Sequence, residues 1–544
     1  MYGKHHFITG LMLWIVLAMP SFLQAGEPKA PQPPNFLIIL CDDLGYSDLG
    51  CYGSEINTPQ LDAIANSGRR FAQFYNTARC WPTRGALLTG YYAQQIRRDT
   101  VPGVKSGGQG TRPKWAKLLP ERISNLGYHS YHSGKWHVDG LPTQNGFEKS
   151  YSLQDHDRHF HPKNHTLDDK PLPPATSSDG YYSSNEIASR AIDQLRYHQE
   201  NHQGKPFFSY VAFTAPHFPL HAPQEIVDKY KPIYQQGWDR IRQQRWNKLK
   251  QLGLARDLQR PSDIETDIGP PYHFPEALQK LGTGELNRPL PWEQLSPQQK
   301  AFQADKMAVH AAMIEAMDSQ IGRIFDFIKQ DPARWENTLV LFLSDNGASA
   351  EIMVRGDGHN PNAAAGSAES YLCLGPGWSS VSNTPFRRHK TWVHEGGIAT
   401  PMIAHWPAGI QSDPNPVSTP YHVIDIAPTI LALASKHAGT EFESLNPKFP
   451  GLSFAREFQE QANRASRTES RVLWWQHEAN RALRDGNLKI VASGKDSPWE
   501  LYDLAQDRAE TENLATQRPQ ELERLAKTWN ELTEQFRLQA TAED

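Results

Sequence analysis

Cysteine is scarce. Four thiols, Cys41, Cys51, Cys80 and Cys373, serve 544 residues, too few for a disulfide scaffold, so the fold must be held by its core. If one thiol does chemistry, at most one pair remains for a disulfide. An excess of either charge is also lacking. Lys+Arg 56 against Asp+Glu 60 leaves a formal net charge of −4, which provides no basic footprint and argues against nucleic acid as a partner. Beyond the first twenty residues no run is apolar enough to cross a bilayer, and no internal repeat is found. What is present, 38% hydrophobic and 21% charged residues with Gly 38 and Pro 41, belongs to a loop-rich globular protein. At this length it has room for one large core and a smaller second one.

The beginning reads separately. Lys4 is the only formal charge in MYGKHHFITG, LMLWIVLAMP is apolar up to Pro20, and Ala25 is a small residue just before Gly26. This layout predicts a secretory signal peptide over 1–25 with cleavage after Ala25. Its apolar run is short of the roughly 20 residues a membrane span needs. No Cys follows Ala25 to carry a lipid. The mature chain is therefore expected to be exported, periplasmic or secreted, and free of the membrane. A Pro-rich leader at 26–34 would precede a large domain at 35–435 and a C-terminal subdomain at 436–544.

Asn35 to Leu40 (NFLIIL), Pro206 to Phe213 (PFFSYVAF) and Thr338 to Leu343 (TLVLFL) are continuous apolar runs, the pattern of strands buried on both faces of a parallel sheet. Helical patterns alternate with them. Thr58-Pro59 opens one that Gly68 closes, and others cover 118–125, 187–197 and a long segment spanning Met307 to Ile328. The alternation predicts an α/β fold with a large, mostly parallel sheet and helices on both faces. Regions near 140–182, 218–300 and 346–398 read as long irregular loops, which in compact folds serve as lids or binding walls. From about 470 the texture changes. Runs at 471–476, 480–484, 487–492 and 499–504, with Asp485-Gly486 and Ser493-Gly494 turns, predict a small antiparallel sheet followed by a helix near 519–536.

Two predicted strands end in acids, at Asp42-Asp43 and Asp345-Asn346. In an open parallel sheet the carboxyl ends of the strands share one edge, where ligands bind. Three carboxylates brought together there would repel each other and raise their pKa values, a conflict that a divalent cation removes. With oxygen donors alone the set points to Ca2+ or Mg2+ and away from zinc. Helix capping and turn formation are the competing explanation for either dipeptide. In Cys80-Trp81-Pro82-Thr83-Arg84-Gly85-Ala86-Leu87-Leu88-Thr89-Gly90, Pro82 suits a first helical turn and Gly90 a helix end. Cys80 then sits where free N–H groups favour an anion, with Arg84 one turn on along the same face. Such a cysteine is a reactive thiolate, a precursor of another group, or simply a small buried hydrophobe.

Cys80-x-Pro82-x-Arg84 with Leu87-Leu88-Thr89-Gly90 resembles the maturation motif of the type I, formylglycine-dependent sulfatases, in the alkaline-phosphatase-like superfamily. Gly127-Tyr128 with Gly134-Lys135-Trp136-His137 is similar to that family's second motif, and Thr214-Ala215-Pro216-His217 to a segment of bacterial arylsulfatases. The likeness runs from Asn35 to Leu501-Tyr502-Asp503-Leu504. Trp81 and Arg79 depart from the small residues usual beside the cysteine. The resemblance implies conversion of Cys80 to Cα-formylglycine by a formylglycine-generating enzyme before folding. It also implies one Ca2+ held by Asp42, Asp43, Asp345 and Asn346 together with the modified Cys80. One hydroxyl of the hydrated aldehyde would attack sulfur and form a covalent sulfo-enzyme. The second would then be deprotonated, releasing sulfate and restoring the aldehyde. By the same resemblance Arg84 would hold the gem-diol, Lys135 neutralise sulfate oxygens and His137 take the proton. His217 and Lys390 would contact sulfate and protonate the leaving alcohol.

Read from the residues alone, Lys390 is a solvated lysine of a basic loop, and His217 is as readily a buried, satisfied histidine. The implied function is hydrolysis of aryl or carbohydrate sulfate monoesters. Two alternatives stay open: a phosphonate or phosphate monoester hydrolase of the same superfamily, and a non-catalytic binder of sulfated glycans. His156, Asp157, His159, His161 and His165 suggest either a zinc site, which their spacing fits poorly, or a polar rim touching substrate. Trp378, Trp392 and Trp474-Trp475 are candidates for stacking on a ring, with core packing as the plainer role.

Overall fold

The continuous apolar runs become central strands. A computed structural model describes residues 1–4, 32–256, 258–269, 272–438, 447–459 and 471–542. The expected signal peptide and leader lie almost wholly outside these residues. Among the described residues no helix is long and apolar enough to cross a membrane. The strands of the main sheet are β1 (Asn35–Cys41), β2 (Arg69–Phe71), β4 (His129–Gly134), β5 (Lys149–Leu153), β6 (His165–Leu167), β7 (Lys170–Pro171), β8 (Phe207–Ala212), β9 (Thr338–Ser344) and β10 (Met402–His405); β3 (Phe74–Tyr75) pairs separately with β11 (Tyr421–His422). Their order is β2-β10-β9-β1-β8-β4-β5-β6-β7. β9, β1, β8, β4 and β5 run parallel in the middle, and antiparallel strands flank them.

Alternation along β1 explains why it is apolar throughout. Leu37 and Ile39 point into one core and Phe36, Ile38 and Leu40 into another, all at most 1% exposed. Each such side chain contributes about 1.5–3 kcal/mol of burial. The helices are α1 (Pro59–Asn66), α2 (Cys80–Thr89), α3 (Leu119–Ile123), α4 (Ser183–Asn201), α5 (Gln224–Tyr234), α6 (Trp238–Gln251), α7 (Pro275–Leu281) and α8 (Pro297–Lys329), with further helices downstream. α4 and α8 pack on the first face, and α2 with the helix Ile426–Ala438 on the second. The α/β architecture expected from the alternation is therefore present.

The helix expected near 118–125 is present as α3, continued by a 3-10 turn to Leu126. The irregular-loop expectations need correction. The region 218–300 is not an irregular loop, because it holds α5, α6 and α7. The buried face of α6 includes Arg242 and Arg245 beside Trp238, Ile241 and Leu249, and these charges interrupt the apolar period that would reveal a helix. Region 140–182 carries β5, β6 and β7, and 346–398 holds only the short helices Gly375–Ser382 and Glu395–Ile398.

At the C-terminal end, β12 (Val472–His477), β13 (Asn480–Asp485), β14 (Leu488–Ala492) and β15 (Glu500–Asp503) form the antiparallel sheet, followed by the helix Pro519–Thr541. Trp474, Leu483 and Ile490 of that sheet join the second core.

Candidate active site

β1 and β9 lie side by side with Asn35 opposite Thr338 and Cys41 opposite Ser344. The next residues on each strand therefore emerge together at the sheet's carboxyl edge. Asn346 Nδ2 donates to Asp43 Oδ1 at 2.6 Å, and the Asp43 N–H donates to Asp345 Oδ1 at 3.4 Å. Cys80 opens α2 after Arg79 in extended conformation (φ −151°, ψ 153°), and left-handed Gly90 closes it. Cys80, Asp42 and Asp345 each bring a ligand atom within 4.8 Å of the other two, as do Asp42, Asp43 and His217. Backbone strain collects here too: Asp43, Ala78, His137 and Thr391 have φ of 68°, 66°, 54° and 83°. For Thr391, β-branched, this is a rare conformation, of the kind that clusters at functional sites.

Cations interleave with the acids. Arg84 donates through Nε (3.0 Å) and a terminal nitrogen (2.7 Å) to Asp345 Oδ2, and to the Lys135 carbonyl at 2.8 Å. The guanidinium is thus committed to placing Asp345. Lys135 Nζ donates to Asp42 Oδ2 at 2.5 Å. Lys390 Nζ contacts Asp43 Oδ1 at 2.7 Å and Glu351 Oε2 at 3.3 Å. It is 1% exposed, so it is no solvated surface lysine. His217 Nδ1 donates to the Phe218 carbonyl, which leaves Nε2 3.8 Å from Asp43 Oδ2.

Burial acts on all of these groups. It would raise Asp42, but the cations Lys135, Arg84 and Lys390 outweigh it and hold this carboxyl well below its ordinary range. Burial lifts Asp43 against the pull of Lys390. Burial, aided by the Asp42 charge, pushes Asp345 up to about 7. Burial and neighbouring cations keep His137 and His217 far below the usual histidine value and hence neutral. Burial also raises the Cys80 thiol despite Lys135. Here burial outweighs the helix end and favours the thiol over the thiolate.

The donor set fits a hard cation. Asp42 Oδ1 and Asn346 Oδ1 are buried acceptors with no hydrogen-bond partner, a costly state for oxygens that nothing else satisfies. They lie among carboxylates whose mutual repulsion a dication would relieve.

The five-residue histidine cluster does not assemble. His159 hydrogen-bonds Ser183 Oγ (2.8 Å) and donates to the His217 carbonyl (3.1 Å), and His165 donates to the Pro173 carbonyl (2.8 Å). His161 instead faces Asp357. Only His156 reaches the site, its ring 5.6 Å from His137 and 5.1 Å from His217. Trp378, Trp474 and Trp475 are core residues at most 2% exposed, and Trp392 is 8% exposed. Sequence reasoning missed Glu351, which receives Lys390 on one oxygen and Arg79 (2.7 Å) on the other. Its one cue is a lone acid inside the stretch Ala348-Ser349-Ala350-Glu351-Ile352-Met353. Arg79 lies over the rings of Trp81 and Tyr272, at 5.2 and 5.1 Å. These three residues form an aromatic and cationic wall beside Cys80.

Residues 34–436 match the sulfatase family model, and residues 387–538 match the C-terminal model of N-sulphoglucosamine sulphohydrolase. An uncharacterised sulfatase of Schizosaccharomyces pombe is 33% identical over 94% of both chains. An arylsulfatase of Klebsiella aerogenes is 32% identical over 77% of this chain and 90% of its own. Among solved structures, Ps i-CgsB in complex with k-i-k-neocarrahexaose superposes with a TM-score of 0.62 at 20% identity, covering 94% of this chain and 95% of that one. A protein in complex with its substrate D-glucosamine-2-N,6-O-disulfate has a TM-score of 0.61 at 18% identity, covering 93% and 98%. With a family match across most of its length and relatives at this identity, the chain belongs to the sulfatase family and is a sulfuric ester hydrolase.

Proposed function

We propose that the enzyme cleaves sulfate monoesters of aryl alcohols or carbohydrates, using Cys80 oxidised beforehand to Cα-formylglycine and hydrated. The observation that carries this reading is a buried Cys80 within 4.8 Å of Asp42 and Asp345, beside two oxygens without partners. A neutral, buried thiol is a poor nucleophile, so the position gains from conversion to a different group. Asp42, Asp43, Asp345, Asn346 and the modified residue 80 would hold one Ca2+, which neutralises sulfate and hydroxyl oxygens when bound.

The chain's own groups divide the remaining work. Arg84 fixes Asp345, and Lys135 and Lys390 keep positive charge against the oxygens of a sulfate. His137, held neutral and with Nδ1 unpartnered, suits the base that deprotonates residue 80. His217 Nε2 and Lys390, on the Asp43 side, are assigned to the departing alcohol, and Glu351 sets the position of Lys390. The wall of Arg79, Trp81 and Tyr272 is assigned to the alcohol portion. The arylsulfatase relative supports an aryl group there, and the sugar ligands of the structural neighbours support a carbohydrate. The same reading has residues 1–25 removed on export and a formylglycine-generating enzyme acting on the Cys80 segment before folding. Turnover of an aryl sulfate and an aryl phosphate sharing one leaving group tests the reaction. Faster sulfate hydrolysis is expected; faster phosphate hydrolysis would overturn the assignment.

A further inference from the structure

A second ligand cluster lies at the other end of the sheet. His129 is the first residue of β4, whereas Lys135 follows its last, so at about 3.3 Å per residue the two ends are roughly 20 Å apart. Glu148 directly precedes β5, and His202 caps the C-terminus of α4. Glu148 Oε2 contacts His129 Nδ1 and Oε1 contacts His202 Nε2, each at 2.8 Å. The two imidazoles stack face to face, with centroids 3.5 Å apart and planes 18° from parallel. Both nitrogens and a carboxylate oxygen lie within 4.8 Å of one another. The side chains are 27%, 31% and 20% exposed, open enough for an ion to enter from solvent.

As ion pairs alone this arrangement is poor. Two stacked imidazolium rings repel, and one carboxylate cannot neutralise both. Two imidazole nitrogens and a carboxylate oxygen make up instead the N,N,O donor set that suits zinc, with solvent completing four-coordination. Of the neighbouring groups only Tyr197 engages the set by hydrogen bond. His198 is committed to Tyr131 Oη and to the Lys205 carbonyl, both at 3.0 Å, while Tyr197 donates to Glu148 Oε1 at 3.2 Å.

We propose that His129, Glu148 and His202 bind a zinc-type dication that staples the end of α4 to the starts of β4 and β5. The site is separate from the calcium-type cluster and plays no part in sulfate cleavage. The test titrates zinc chloride into the calcium-saturated, full-length enzyme, followed by calorimetry and thermal melting, for the wild type, His129→Ala and His202→Ala. One saturable zinc per chain and a raised melting temperature are expected in the wild type. Each variant should lose affinity about tenfold or more, since even outer-shell changes at metal sites cost that much. Both variants should keep wild-type sulfate-ester turnover, which also reports that they fold. Cobalt(II) in place of zinc should give a visible spectrum of imidazole ligation that both variants weaken. Absence of saturable zinc binding, or binding that both variants retain unchanged, would overturn the proposal.

Discussion

Two of the buried charge clusters among the described residues differ in one respect that separates structure from chemistry. Around Arg245, both oxygens of Asp48 and of Glu55 are occupied. Asp48 receives Arg245 (2.6 Å), the Gly45 N–H (2.9 Å) and His310 (3.1 Å). Glu55 receives Arg245 at 2.7 and 3.0 Å and Tyr234 at 2.7 Å. At the carboxyl edge of β1 and β9 the acids are as deeply buried, yet Asp42 Oδ1 and Asn346 Oδ1 stay unpartnered and four non-glycine residues are left-handed. A buried acid whose oxygens are all satisfied ties the fold together. One left with open lone pairs is a site waiting for a ligand.

The largest effect expected is at Cys80. Cys80→Ala should lower turnover by about 10⁴-fold or more, as loss of a covalent nucleophile does, while the urea midpoint stays near wild type. A comparable loss of stability would make Cys80 a packing residue and erase the contrast. Exhaustive chelation should then abolish most activity, and added Ca2+ should restore it. Full activity after chelation would remove the cation from the account. Lys390→Ala should cost about 10²–10³-fold in kcat, the scale of one lost electrostatic group at a reacting centre. Glu351→Gln should move kcat in the same direction but less, with KM little changed. In the other cluster, Arg245→Met leaves buried Asp48 and half-buried Glu55 without this cation and should destabilise by about 3–5 kcal/mol. The folded fraction of that variant should retain its kcat, as denaturant melts paired with steady-state assays would report.

How much of this was legible in the sequence follows the range of the forces involved. The central strands and the acidic strand ends could be read because burial on both faces imposes a local apolar run. The Cys80 segment could be read because a helix has local signals at its start, here Pro82, and at its end, here Gly90. α6 was hidden, since Arg245 belongs on its buried face only through Asp48 and Glu55, acids far away in the chain. The burial of Lys390 depends on Asp43, 347 residues distant. The histidines of 156–165 are neighbours in the sequence, but the fold sends His159 and His165 to structural hydrogen bonds and only His156 to the site. The pair His129 and His202 carries no sequence signal, because β4 and α4 bring it together.

The most direct measurement is the mass of the tryptic peptide containing residue 80, taken from protein made in its native host. The account predicts an aldehyde in place of the thiol, in the active fraction and in proportion to activity. A fully active preparation with the Cys80 thiol intact would contradict it.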